Sequence, residues 1–135
     1  MPHMTIEYSE NLADEDSIGL LCSKLARCLE HQCENGTIIF PLGGIRVRAL
    51  RCHEYCIADG QIENAAFLHG TLKIGAGRSE AAKKATGDAL FSLIKEHFAN
   101  AFQVRGLALS LELGEFSEVG TWKHNNLHAR LKAAL

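Results

Sequence analysis

Apolar and polar residues alternate at four places along the chain, and two longer stripes of helical spacing fall between them. Met4, Ile6 and Tyr8 alternate with Thr5, Glu7 and Ser9, the pattern of a strand with one buried face. Asn11 to Asp16 supplies turn residues and helix-start chemistry. Ile18, Leu21, Cys22, Leu25 and Leu29 follow at helical spacing, and the pair Asn35-Gly36 predicts a helix end nearby. Phe40-Pro41-Leu42-Gly43-Gly44 reads as a turn. Beyond it Ile45, Val47 and Ala49 alternate with Arg46, Arg48 and, less regularly, Arg51 in a second strand.

After an irregular stretch through Asp59-Gly60 the order repeats. Ala66 to Ile74 is a strand, with Leu68, Leu72 and Ile74 opposite His69, Thr71 and Lys73. Gly75-Ala76-Gly77-Arg78-Ser79 breaks it, and Ser79 is placed to cap the next helix. That helix runs toward Phe102 on a face of Leu90, Phe91, Ile94, Phe98 and Phe102. Leu107, Leu109, Leu111 and Leu113 alternate with Ala108, Ser110 and Glu112 in a fourth strand, and Asn126 to Leu135 ends the chain as a short helix.

Strand-helix-strand therefore occurs twice. The expected fold class is α/β (α+β): two βαβ units, about residues 1–52 and 64–115, form a four-stranded sheet with two helices on one face. A tail, 116–135, completes a single domain over 1–135. The other sheet face would carry Thr5, Glu7, Arg46, Arg48, His69, Thr71, Lys73, Ser110 and Glu112. Such a face is either solvated or covered by self-association.

Composition narrows the choice of partner. A chain of 135 residues suits one domain, and a formal charge of −2 offers no general field for nucleic acid or an anionic membrane. An anionic ligand would need a local cluster of cations. The apolar runs are too short to span a bilayer, and no secretory signal is legible, so the expectation is cytoplasmic. Cys22, Cys28, Cys33, Cys52 and Cys56 are odd in number and lack a C-x-x-C pair. They read as neither a disulfide framework nor a metal site.

Three segments could converge on chemistry. If Met1 is removed, Pro2 becomes the terminus and its nitrogen changes from an amide to a secondary amine. A free α-amino group has a reference pKa of roughly 8, and burial or a nearby cation would lower it toward the range in which a general base works. The simpler alternative is that Pro2 only permits methionine excision. Gly43-Gly44-Ile45-Arg46-Val47-Arg48 places two arginines on one strand side, suited to gripping carboxylates or, alternatively, to pairing with Glu7 or Glu112. Gly75-Ala76-Gly77-Arg78-Ser79 opens a helix, where backbone N–H groups favour an anion, but it completes neither a P-loop nor G-x-G-x-x-G. His3, His69, His124 and His128 read as structural or exposed, and Asn125-Asn126 as a cap for the final helix.

Pro2-His3, Phe40-Pro41-Leu42-Gly43-Gly44-Ile45-Arg46, Leu72-Lys73-Ile74-Gly75-Ala76-Gly77-Arg78-Ser79, Leu107-Ala108-Leu109-Ser110 and Asn125-Asn126 with His128 resemble the 5-carboxymethyl-2-hydroxymuconate delta-isomerase family of the tautomerase superfamily. The resemblance implies a homotrimer of pseudo-duplicated subunits and a proton transfer without a cofactor. It puts the catalytic proline on Pro2 and the substrate-binding arginines on Arg46 and Arg78, with Arg48 in support. The implied substrate is a small polycarboxylate, with neither nucleic acid nor membrane as partner. Leu50 to Ile57 departs from the family pattern, and the tail after Glu115 follows it loosely. A related tautomerase, a haloacrylate dehalogenase and a non-catalytic binding protein on the same scaffold are the alternatives.

Overall fold

In the computed structural model, which describes residues 1–13 and 17–134, the main sheet is built from β1 (His3–Ser9), β4 (Arg46–Cys52), β5 (Ala66–Ile74) and β6 (Leu107–Glu115). Its order is β4-β1-β5-β6, with β1 parallel to β4, β5 parallel to β6, and β1 antiparallel to β5 at the centre. The predicted pair of βαβ units is thus joined back to back through the first strand of each. The helix-start residues Asp14 to Asp16 lie outside the described residues, as does Leu135.

Two helices cover one face. α1 (Ile18–Glu30) packs on β4, α2 (Glu80–His97) on β6, and the two helices touch. Leu21, Leu25 and Leu29 of α1 and Leu90 and Ile94 of α2 are buried against Met4, Ile6, Leu68, Leu72 and Ile74. Helical spacing on one side and strand alternation on the other thus meet in one apolar layer. Cys22 and Cys28 sit half-buried at its edge.

Two expected helix ends are corrected. α1 stops at Glu30, where the amide of His31 donates to Arg27 O and Gln32 Nε2 donates to Cys28 O. Asn35-Gly36 instead joins β2 (Cys33–Glu34) and β3 (Thr37–Ile38) as a hairpin. Both turn residues have positive φ, 53° and 77°, as a type I′ turn requires and as Asn-Gly readily adopts.

The apolar spacing predicts a second helix reaching Phe102, but α2 ends at His97, and a separate α3 (Ala99–Val104) follows. Phe98 leaves helical geometry at the junction (φ −105°, ψ 20°) and is fully buried as the pivot. The stripe that reaches the core is Ala82, Thr86, Leu90 and Ile94. Phe91 lies off that stripe and is only half-buried, and Phe102, beyond the bend, is 58% exposed.

The register places Arg46, His3 and Lys73 in one row of the open face and Arg48, Thr5, Thr71 and Glu112 in the next. The tail crosses the end of the sheet to α4 (Leu127–Ala134), which buries none of its residues. Among the described residues, no helix is long and apolar enough to cross a membrane.

Candidate active site

The beginning of the chain, the Gly43-Gly44 turn, the Gly75–Ser79 junction and the tail meet at one end of the sheet. They enclose a cavity of about 590 Å³ lined by Met1, Gly44, Gly75, Arg78, Lys123 and His128, among others. A second groove, about 660 Å³, runs between α2 and β6 past Lys83 and Asp88. Its Lys83 is already paired with Glu80 at 2.6 Å and with Glu115 at 3.7 Å. The terminus belongs to the first cavity, whose Arg78 and Lys123 form no ion pair among the described residues.

Backbone pairing holds the terminus in place. Arg46 N donates to Pro2 O at 3.0 Å, and Pro2 is buried. Gly44 lies against the terminus, where an added Cβ would stand in ordinary contact with Met1 Cα at 3.4 Å. With Met1 present the Pro2 nitrogen is an amide and the free amine is that of Met1. Burial, then Arg78, Lys123 and Arg46 in that order, hold the pKa of this amine below its ordinary value.

Arg78 is fixed from three sides. Its guanidinium donates to Gly75 O and to Ile39 O, each at 3.0 Å, and lies 5.3 Å from the Phe40 ring centre. Gly77 supplies the positive φ of 110° that the loop needs at this bend. The helix N-terminus behind it is capped by Ser79, whose Oγ accepts from Ala82 N at 3.0 Å and donates to Glu34 Oε1 at 2.5 Å. The guanidinium lines the cavity and is the charge this junction offers an anion.

Arg46 and Arg48 diverge. Arg46 turns back, donating to Gly43 O at 3.1 Å, and lies close enough to the terminal amine to act on it. Arg48 donates to His3 Nδ1 at 3.1 Å on the open sheet face, and of the three predicted arginines only Arg78 lines the cavity itself. His3 therefore presents Nδ1 as an acceptor. Burial first, then Arg48 and Arg46, hold its pKa below the ordinary imidazole value.

Among the described residues, none of Arg46, Arg48 and Arg78 forms an ion pair, so the alternative of pairing with Glu7 or Glu112 is not what the fold contains. His69 takes Glu112 instead, at 3.3 Å, and meets Ser110 Oγ at 2.7 Å. Polar residues opposed across neighbouring strands thus pair with each other, and the arginines are left available.

The tail contributes what sequence reading missed. Phe116 N donates to Ile74 O at 2.8 Å, and the Phe116 ring packs on His3 with centroids 5.6 Å apart. Downstream, Asn125 Nδ2 donates to Gly43 O at 3.0 Å, while Asn125 Oδ1 accepts from Leu127 N at 2.7 Å. Asn125 caps α4, as expected, and also ties it to the turn. Lys123, two residues earlier, is thereby carried to the cavity. A single lysine in an irregular tail gave no periodic signal. Its spacing to Asn125-Asn126 was the available clue.

The crossed pair of βαβ units, with the chain terminus opening on a cation-lined cavity, is the fold of the tautomerase superfamily. A fused 4-OT protein solved as a symmetric trimer shares that fold with a TM-score of 0.65 at 12% identity, over 90% of this chain and 93% of that one. The family model for 5-carboxymethyl-2-hydroxymuconate isomerase matches residues 2–131, and the chain belongs to that family of isomerases. The 5-carboxymethyl-2-hydroxymuconate delta-isomerase of Escherichia coli is 42% identical over 132 residues, covering 98% of this chain and 100% of the relative. A crystal structure of a 5-carboxymethyl-2-hydroxymuconate isomerase from Deinococcus radiodurans R1 is 53% identical with a TM-score of 0.88, over 96% of this chain and 93% of that one.

Proposed function

We propose that Pro2, freed by removal of Met1, is the proton-transfer group in the isomerisation of 5-carboxymethyl-2-hydroxymuconate to 5-oxopent-3-ene-1,2,5-tricarboxylate. The observation that carries this is the chain terminus held in a cavity with Arg78, beside Arg46, under conditions that lower an amine pKa. Loss of Met1 empties the part of the cavity it occupies and turns the Pro2 nitrogen into a secondary amine among the same neighbours. A neutral amine at neutral pH is the state a base needs.

The neutral Pro2 nitrogen takes the proton from the 2-hydroxyl of the dienol. The C2 carbonyl forms, the double bond shifts, and the Pro2 ammonium returns the proton to C5. The product is a conjugated ketone, and no proton, electron or cofactor is consumed. Arg46 and Arg78 bind substrate carboxylates, orient the carbon chain and stabilise negative charge gathering on the C2 oxygen. Arg48 supports the site through His3.

Intact mass and ultraviolet assay of the dienol test this together. Pro2→Ala, with Met1 removed, should lower kcat by roughly a hundredfold to ten-thousandfold, and Arg46→Ala should raise KM. Unchanged kinetics in both variants, or turnover of a haloacrylate alone, would overturn the reading.

The assembly that fits is a homotrimer burying the open sheet face, to be checked by analytical ultracentrifugation. Five free cysteines suit the reducing cytoplasm as its location.

A further inference from the structure

Resting on that reading, we propose that Lys123 is a third substrate-binding cation, which grips the carboxylate of the carboxymethyl arm and sets the preference for tricarboxylates over dicarboxylates. The substrate carries three carboxylates, and Arg46 and Arg78 account for two. Lys123 lines the same cavity as Arg78 and the terminus. It acts on the terminal amine less than Arg78 but more than Arg46, so its charge lies within range of the reacting end.

No carboxylate among the described residues claims this ammonium. Among the described residues, Lys123 forms no ion pair, whereas Lys83 and Lys84 hold carboxylates at 2.6 Å and 3.0 Å. Glu118 also lines the cavity, without pairing with Lys123.

The position of Lys123 is set from both ends of the loop. Phe116 is bonded to Ile74, Gly120 N to Ser117 Oγ at 3.1 Å, and Asn125 to Gly43. The loop therefore crosses the cavity with its lysine on the wall. The arginines are rigid forks, suited to carboxylates at fixed points along a planar diene. An ammonium on a four-carbon stem is suited to a pendant arm that rotates.

The test compares Lys123→Met and Lys123→Arg with the unmodified protein on the tricarboxylate dienol and on 2-hydroxymuconate, which lacks the arm. Lys123→Met should reduce kcat/KM for the tricarboxylate roughly tenfold more than for the dicarboxylate, as loss of one charge-assisted contact implies. The difference should lie in KM, and Lys123→Arg should recover part of it. A general change in charge near the amine acts on both substrates alike, so equal losses, or none, would overturn the assignment.

If the unmodified protein turns over neither dienol, the proposed reaction fails. Lys123 is then judged by calorimetry with the inert probes propane-1,2,3-tricarboxylate and pentanedioate. A preference for the first that Lys123→Met abolishes upholds the third-cation role. The absence of a preference, or one that survives the substitution, refutes it.

Discussion

Gly43→Ala is expected to release the C-terminal helix while the sheet stays folded. A Cβ at Gly43 would stand 2.7 Å from His128 Nδ1, 3.0 Å from its Cγ and 3.0 Å from its backbone nitrogen. The imidazole can rotate away, but the nitrogen belongs to the first turn of α4 and moves only with the helix. Restoring an ordinary separation of about 3.5 Å displaces that turn by roughly half an ångström. The 3.0 Å bond from Asn125 to Gly43 O is then stretched toward its limit. Crowding costs roughly 1–3 kcal/mol, and weakening the bond costs about 0.5–1.5 kcal/mol.

Because α4 buries no residue, little opposes its release. Even the smaller sum, about 1.5 kcal/mol, shifts the docked population roughly tenfold. Amide hydrogen exchange reads this directly. Residues 127–134 should exchange about tenfold faster, with β1 and β5 protected as before. Unchanged exchange in the tail, or equal loss of protection in tail and sheet, refutes the reasoning.

The acidic limb of kcat/KM against pH reports the amine, because only its neutral form accepts a proton. Activity should rise with pH through the lowered pKa and then level off. Arg78→Ala removes a like charge beside the amine, so the limb should move to higher pH; a limb that stays or moves lower contradicts the assigned base. Gly87 lies inside α2, where an added Cβ would meet open space, and its φ is not in the left-handed region. Gly87→Ala should therefore stabilise the protein by about 0.5–1 kcal/mol, and a thermal melt showing a lower Tm would contradict that.

The strands were legible because alternation survives in any sheet with one buried face. Met4, Ile6 and Tyr8, and Leu68, Leu72 and Ile74, reach the core as their period demands. The helix ends were harder to read. Asn35-Gly36 suits both a C-cap and a hairpin, and only the pairing of Cys33–Glu34 with Thr37–Ile38 selects the second. Phe102 continues a helical period on paper, but the bend at Phe98 turns it outward.

By itself the sequence determined the repeated strand-helix-strand order and the apolar faces, and it singled out three segments as candidates for chemistry. Periodicity and local chain geometry are encoded within a few residues, so they can be read without contacts. Only tertiary structure decided which cations share a cavity. Arg46 and Arg48 are two residues apart, yet one turns toward the terminus and the other toward His3. Lys123 stands far along the chain from Arg78 and lines the same wall, because Asn125 bonds to the carbonyl of Gly43. Such convergence is set by long-range hydrogen bonds and packing, which leave no local periodicity to read.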